Sequence, residues 1–317
     1  MINFKTEIAP HSRVGITGHV RPDGDCVGAV MSLYHYLNNA IEDLTVDVYL
    51  EEPSYIFDGI KDIEKIKHEA RGDEAYDVFI ICDTNADRIG FALPMFQKAG
   101  KTINIDHHIS NASGCAMLNH VEPETGSCCE VLAGLYDRTC MDEEIAREIY
   151  IGIIHDTGVL QYSNTTPKTH MLVAELIGYG FDFTRLIDET FYEKSFRQNK
   201  LLGHALLSAR LSYEDRVISA YVPFSLLESM GATPKTTDGI VNQLRITRGV
   251  HVALFMYGLS ETEIKASLRS DEFVDVSVIA ECFGGGGHKR ASGFNAVGIS
   301  ADEVLNLVLK EVEKQLK

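Results

Sequence analysis

The sequence lacks a long apolar run, a Cys-x-x-Cys pair and an excess of basic residues. A membrane-spanning helix needs about 18 or more consecutive apolar residues, so we expect no membrane segment. The seven cysteines are odd in number, and no signal segment is visible at the N-terminus. These features are typical of a reduced protein, and they predict a cytoplasmic location.

Basic charge is scarce, because 29 Lys and Arg residues stand against 46 Asp and Glu residues and give a formal net charge of −17. Proteins that hold long duplex nucleic acid need basic surface to displace counterions, so we expect no partner of that class. A short anionic substrate held at a metal site is still compatible with this charge.

The first half of the 317-residue chain alternates strand and helix patterns. Four segments are typical of strands: "RVGIT", "TVDVYL", "YDVFIICD" and "KTINID". The helical segments are "CVGAVMSLYHYLNN", 127–138 and 142–154. Such alternation predicts an α/β domain with a parallel sheet and helices on both faces, which we place at residues 1–188.

The second half has a different pattern and begins with a long helical stretch over 189–210. We predict that this helix links the two halves and acts as a hinge. The segments "RVISAYVP", "VHVALFMYG" and "EIKASLRS" are typical of strands, and the chain closes with an amphipathic helix. Residues 211–317 are therefore predicted to form a smaller, mixed α/β domain.

Acidic and imidazole side chains follow the predicted elements of the first domain. His19, Asp23 and Asp25 follow the first strand, Asp83 ends "VFIICD", Asp106 with His107 and His108 ends "TINID", and Asp156 closes a helical run. A lone strand-end aspartate is more often a cap or turn residue. In open α/β sheets, however, ligands bind beyond the carboxyl ends of the strands, and parallel neighbouring strands would bring these side chains together.

The chemistry of this set favours a hard divalent cation. Carboxylate with imidazole suits manganese, whereas a thiolate set would suggest zinc. The set also exceeds what one ion needs, which predicts two manganese ions per site, with magnesium as the alternative. Two ions roughly 3.5–4 Å apart would share a carboxylate and activate a water for attack on phosphorus.

Four short motifs, "HVRPDGDCVGA", "CDTN", "IDHH" and "HDTG", occur in this order between residues 14 and 160. In order and spacing they resemble the motifs of the DHH phosphoesterase family. The resemblance implies the following roles: one ion on His19 and Asp23, a second on Asp25, His107 and Asp156, Asp83 as the catalytic bridge, and His108 as a catalytic contact to the phosphate or leaving group. Arg88 either steadies the substrate or braces a helix, and we assign Cys26 and His155 to packing.

A glycine-rich stretch, "CFGGGGHKRASG" at 282–293, lies near the end of the chain. Its composition fits a flexible loop, whereas the basic residues that follow favour a backbone nest around an anion. The stretch is similar to the signature of the DHH-associated C-terminal domain, which implies substrate binding by Gly285, Gly286, Gly287 and His288. Ser267 and Arg269 in "ASLRS" are further candidates, because arginine holds phosphate with two parallel hydrogen bonds.

The two-domain organisation most resembles the oligoribonuclease and pAp phosphatase subgroup (nanoRNases). The resemblance implies a manganese-dependent phosphohydrolase that degrades short single-stranded RNA to 5′-mononucleotides and dephosphorylates 3′-phosphoadenosine 5′-phosphate (pAp). The alternatives are a cyclic or linear dinucleotide phosphodiesterase, a manganese pyrophosphatase, which the glycine-rich run disfavours, and a catalytically silent nucleotide-binding regulator, although no ligand of the set is missing. An exposed sheet edge would also allow a homodimer.

Overall fold

The computed structural model describes residues 2–70 and 74–316. The chain divides into two units, Met1–Glu193 and Lys194–Lys317, and each has its own sheet and its own hydrophobic core. In the ranges that the structure describes, no helix has the length and apolar character that crossing a membrane requires.

The first unit is built on a parallel sheet. Its strands among the described residues are β1 (Arg13–Thr17), β2 (Thr45–Tyr49), β3 (Val78–Cys82), β4 (Lys101–Asp106) and β5 (Leu118–Val121). Their order in the sheet is β2-β1-β3-β4-β5. The predicted parallel α/β domain is confirmed, and the first four strands lie where the sequence placed them. Strand β5 has four partly exposed residues, which give too weak a pattern to predict.

The first unit also contains α-helices. They are α1 (Phe4–Glu7), α2 (Gly24–Ala40), α3 (Leu93–Lys98), α4 (Cys128–Leu135), α5 (Glu143–Asp156), α6 (Pro167–Ile177) and α7 (Phe183–Ile187). Two glycines let α2, α4 and α5 approach closely. A Cβ at Gly28 would lie 2.5 Å from the carbonyl oxygen of Glu148, and one at Gly152 would lie 2.6 Å from Asp25 Oδ1. This close packing fixes the start of α2 beside α5 and α4.

The second unit is a mixed sheet with its own helices. Its strands among the described residues are β6 (Arg210–Ser212), β7 (Val217–Val222), β8 (Val252–Gly258), β9 (Glu263–Ser270), β10 (Gly286–His288) and β11 (Ala291–Val297). Their order is β10-β11-β9-β8-β7-β6, in which β7 and β8 are parallel and the other neighbours are antiparallel. The predicted mixed α/β domain is thereby confirmed, and β7, β8 and β9 match the three predicted strands.

The helices of the second unit are α8 (Phe196–Ser208), α9 (Phe224–Ser229), α10 (Ile240–Arg245), α11 (Val276–Glu281) and α12 (Ala301–Gln315). The predicted C-terminal helix is α12, and Ser300 forms a capping box with Glu303 at its start. Its buried stripe packs with α11 and the sheet.

The chain does not form the single continuous helix that was predicted over 189–210. A π-helical turn, Asp188–Tyr192, ends the first unit, and α8 begins only at Phe196. The reason is a capping box, in which Ser195 and Gln198 satisfy the first backbone N–H groups of a new helix. Leu201 and Ala205 of α8 are buried in a core of the second unit, so the helix belongs to that unit.

Candidate metal centre

The carboxyl ends of the parallel strands β1, β3 and β4 meet at one edge of the first sheet. His19 lies two residues beyond β1, Asp83 follows β3 directly, and His107 follows β4. Helix α2 adds its N-cap residue Asp23 and Asp25 from its first turn, and α5 adds its last residue, Asp156. The structure therefore brings together all six side chains that were predicted as metal ligands.

Asp83 lies between two imidazole rings. Its Oδ2 is 3.4 Å from His19 Nε2, and its Oδ1 is 3.4 Å from His107 Nε2. Asp83 is only 2% exposed, and its φ of +60° is a left-handed conformation that aspartate tolerates better than most residues. Among the described residues, neither Asp83 Oδ1 nor His107 Nε2 has a hydrogen-bond partner. Two buried polar atoms that face each other in this way fit a site built for a cation between them.

Backbone carbonyls orient both imidazole rings and hold a proton on Nδ1 of each. His19 Nδ1 lies 2.9 Å from the Val20 carbonyl oxygen, and His107 Nδ1 lies 3.4 Å from that of Thr125. Since a carbonyl oxygen only accepts, each Nδ1 is the donor. Each Nε2 then faces the carboxylates, and a cation that displaced its proton would find the lone pair by which histidine binds metals.

His19, Asp23 and Asp83 form the first side of the centre. Asp23 Oδ1 is 3.6 Å from His19 Nε2, and it also caps α2 by accepting the backbone N–H groups of Asp25 and Cys26. Burial opposes ionisation of Asp23, but His19 outweighs it and lowers the pKa of this carboxyl to about 2. Burial likewise lowers the pKa of His19, and Asp23 with Asp83 reverses this and raises it. The sulfur of Cys26 also lies here.

Asp25, His107 and Asp156 form the second side. His107 Nε2 is 3.2 Å from Asp156 Oδ2 and 3.8 Å from Asp25 Oδ2. Burial, followed by the charge of Asp83, raises the pKa of Asp25 well above its usual range and that of Asp156 to about 7. Burial lowers the pKa of His107, but the surrounding carboxylates, led by Asp83, raise it to about 10. So much negative charge in a buried place favours a cation.

The N-terminus of α4 holds Asp25 in place. Asp25 is fully buried, and its Oδ2 and Oδ1 accept the backbone N–H groups of Cys128 at 2.6 Å and Cys129 at 3.0 Å. These donors are ones that a helix leaves unpaired at its start. Sequence analysis did not anticipate this support, because the two cysteines act through their backbone.

Asp106 has a role that the sequence analysis missed. Its Oδ1 accepts hydrogen bonds from the backbone N–H groups of His107 at 2.7 Å and His108 at 3.1 Å, and from His108 Nδ1 at 2.8 Å. Asn111 donates to Asp106 Oδ2 at 2.7 Å. Asp106 therefore orients the two histidines instead of facing the centre itself. The signal in the sequence was its place directly before them.

His108 lies at the mouth of the centre. Its side chain is 38% exposed, and its Nδ1 is 3.6 Å from Asp83 Oδ1. The hydrogen bond to Asp106 raises the pKa of His108. Arg88 is exposed in a turn after β3, and its carbonyl oxygen accepts the Val20 N–H at 2.8 Å. The backbone of Arg88 thus braces the loop that carries His19.

Strand register places four of the predicted substrate residues of the second unit on one face: Ser267, Arg269, Gly286 and His288. Arg269 pairs with Ala291 and Ser267 pairs with Gly293 across β9 and β11, while His288 pairs with Ala291 and Gly286 with Gly293 across β10 and β11. Directly paired residues share a face of the sheet. Asn242 Oδ1 accepts a hydrogen bond from Arg269 Nε at 3.1 Å.

The glycine run is not only a flexible loop. Its second half belongs to the edge strand β10, and its first half leads into that strand. A Cβ at Gly285 would clash with the carbonyl oxygen of Gly293, and one at Gly287 would lie 2.5 Å from that of Ala291. Gly287 also has φ +145°, which side chains rarely adopt. At Gly286, by contrast, no atom of the described residues lies within 4 Å of an added Cβ. Gly285 and Gly287 therefore shape the hairpin, and Gly286 faces open space.

Known proteins resemble this chain over most of its length. Residues 13–153 match the DHH family, N-terminal domain, and residues 214–317 match the DHHA1 domain. A Thermus thermophilus protein named "Bifunctional oligoribonuclease and PAP phosphatase NrnA" is 28% identical over 95% of this chain and 89% of its own. A Bacillus subtilis protein of the same name is 29% identical over 92% of each chain. The crystal structure of an exopolyphosphatase-related protein from Bacteroides fragilis has a TM-score of 0.84 at 24% identity, covers 96% of this chain and 92% of that one, and shares the fold.

Proposed function

The chain combines a DHH family N-terminal domain with a DHHA1 domain, and we propose that it is a manganese-dependent phosphohydrolase of short oligoribonucleotides and pAp. Its products are 5′-mononucleotides from RNA and a dephosphorylated nucleotide from pAp. The names of two relatives support this substrate class, and the matches to this chain cover 89% and 92% of the length of those relatives.

The position of Asp83 between His19 and His107 is the observation that carries the proposal. Its two oxygens each face a different imidazole nitrogen at 3.4 Å. Two cations bound here would share a carboxylate so placed, as in two-metal hydrolytic sites. The oxygen and imidazole donors of the set favour manganese or magnesium.

The roles of the surrounding residues follow from their contacts. Divalent cations bound here would lower the pKa of a water and neutralise charge on the phosphate. We assign one cation to His19 and Asp23 and the other to Asp25, His107 and Asp156, with Asp83 shared. His108, which Asp106 orients at 2.8 Å, contacts the phosphate or the leaving group. The exposed side chain of Arg88 steadies the substrate.

The second unit supplies the nucleotide contacts. Ser267, Arg269, Gly286 and His288 share one face of its sheet, and Gly285 and Gly287 form the hairpin that presents His288. A local basic group is what an anionic substrate needs on a chain whose net charge is −17. This acidic balance also supports a restriction to short, single-stranded substrates.

Two further expectations belong to the same proposal. All seven cysteines are free thiols, which supports work in the reducing cytoplasm. A homodimer would form through an edge of one of the sheets. Light scattering of the purified protein, which measures its mass in solution, tests this.

A substrate panel tests the function. The protein is stripped with a chelator, reloaded with manganese or magnesium, and given short and long labelled RNA, pAp, cyclic di-AMP, pyrophosphate and single-stranded DNA. We expect turnover of short RNA and pAp. Asp83→Ala should abolish it, whereas Asp87→Asn, at an exposed position of the following turn, should retain it. Manganese-dependent turnover by Asp83→Ala, or a preference for cyclic di-AMP or pyrophosphate, would contradict the proposal.

A second variant separates binding from chemistry. His288→Ala should weaken turnover of short RNA more than that of bis-p-nitrophenyl phosphate, because the small ester has no nucleotide for the second unit to hold. Equal losses on both substrates would argue against a substrate contact by His288.

A further inference from the structure

Cys26 lies at the first side of the centre. A ring nitrogen of His19, the sulfur of Cys26 and a carboxylate oxygen of Asp83 all lie within 4.8 Å of one another, and all three residues are buried. Cysteine stands here directly after Asp25, in the first turn of α2. The sequence analysis assigned it to packing, and nothing in the proposed manganese chemistry uses a thiol.

The local structure aims this sulfur at the centre. A Cβ at Gly18 would clash with Cys26 Sγ, so only glycine at the end of β1 leaves room for the sulfur beside His19. The sulfur of another buried cysteine, Cys128, is 3.3 Å from the Ile105 carbonyl oxygen. Cys26 Sγ, by contrast, makes a long contact, 4.0 Å, to the His19 carbonyl oxygen, and it also interacts with the side chain of His19. Its position therefore favours the cation site over a backbone partner.

We propose that Cys26 joins His19 and Asp83 as a thiolate ligand, which makes the first side of the centre a site for a thiophilic divalent cation such as zinc, cobalt or cadmium. The proposal rests on the proposed cation-binding function of the same side chains. Nitrogen and oxygen donors already bind zinc more tightly than manganese, and a soft sulfur ligand strengthens that preference. A thiophilic cation at this side would thus compete with manganese for the centre.

Binding of the thiophilic cation releases one proton. The Cys26 S–H bond breaks, the sulfur forms a bond to the cation, and the proton passes to the buffer, as in other cysteine metal sites. No oxidant or reductant takes part. Manganese, a harder cation, would leave the thiol protonated, and His19, Asp23 and Asp83 would hold it.

Cobalt(II) absorption tests the proposal without any assay of turnover. Cobalt(II) is titrated into the chelator-stripped protein, and visible d–d bands report binding while a near-ultraviolet sulfur-to-cobalt band reports a thiolate ligand. We expect both in the wild type. Cys26→Ser should keep the d–d bands and lose the sulfur band, and Cys140→Ser, at a half-buried cysteine outside the centre, should keep both. The d–d bands in Cys26→Ser also show that its centre is folded.

Zinc competition gives a second measurement. Cys26→Ser should bind zinc about tenfold or more weakly, which is a usual cost of altering a metal site, with a much smaller change for manganese. Cobalt d–d bands without a sulfur band in the wild type would overturn the thiolate ligand and leave the cation centre standing. A sulfur band that survives in Cys26→Ser would overturn it equally. Absence of all cobalt bands would refute both this inference and the proposed function.

Discussion

Replacing Asp156 by asparagine should stabilise the metal-free protein at neutral and alkaline pH, although it removes a proposed ligand. Asp156 ends α5, and its Oδ2 is 3.2 Å from His107 Nε2. Burial and the charge of Asp83 raise its pKa from 3.8 to about 7. Asparagine keeps the size of the side chain and one oxygen, but it carries no charge that burial can penalise.

The direction of this stability change follows from the pKa of Asp156 in the folded chain and in the unfolded chain. Between about pH 4 and about pH 7, the folded chain keeps a proton on Asp156 that the unfolded chain has released. The free energy of unfolding therefore falls as the pH rises through this window and stays low above it. A shift of roughly three pKa units corresponds to at most about 4 kcal/mol. Because the side chain is 30% exposed and His107 offsets its charge, we expect about 1–2 kcal/mol at pH 8.

Urea unfolding of chelator-stripped protein measures the difference. The free energy of unfolding of Asp156→Asn should exceed that of the wild type, and this difference should grow as the pH rises from about 5 to about 7 and then level off. With saturating manganese the order should reverse, because the wild type binds the cation more tightly. Asp58→Asn, at an exposed position, should change neither curve. A variant that is less stable than the wild type without metal at pH 8, or a difference that does not vary with pH, would refute the reasoning.

Three further predictions concern other parts of the chain. Asp106→Ala should lower the turnover of short RNA roughly 10–100-fold, because a histidine of the centre loses its orientation, with a smaller change in manganese affinity by titration. Glu148→Ala should lower the free energy of unfolding in urea by about 3 kcal/mol, since it breaks a buried pair whose carboxylate lies 3.0 Å from His35 Nδ1. Gly287→Ala should cost about 1–3 kcal/mol in the unfolding of the second unit, whereas Gly286→Ala should cost little, because only the first has a left-handed backbone and a close carbonyl.

Strong periodic patterns made most of the first unit predictable. The apolar run that became β3 is buried throughout, and the helical pattern after "DGD" became α2. Once those strands were taken as parallel, the meeting of His19, Asp83 and His107 at one sheet edge followed from topology alone. Spacing along the sequence thus carried information about the centre because the sheet is regular.

Features that depend on a few residues or on three-dimensional contacts were not predictable. Strands β6 and β10 have three residues each, too few to show a period. The break before α8 depends on the Ser195–Gln198 capping box within an apolar pattern that continues through it. Asp106 looks like any other acidic residue of its motif, and only the structure shows that it faces the histidines. The role that we propose for Cys26 is equally hidden in the sequence, because a buried cysteine in a helix is ordinarily a packing residue.

The backbone holds much of the cation centre in place before any cation arrives. Asp25 accepts two N–H groups at the start of α4, Asp23 accepts two at the start of α2, and each imidazole donates to a carbonyl. These contacts fix the ligands without using the atoms that face inward, which is why Asp83 Oδ1 and His107 Nε2 are left without partners in the part of the chain that the structure describes. Repulsion among the buried carboxylates would then destabilise the metal-free fold, and a bound cation would relieve it. On the proposed function, folding and cation binding are coupled through charge and not through the formation of the site, so chelation should lower stability while leaving the helical content of the protein unchanged.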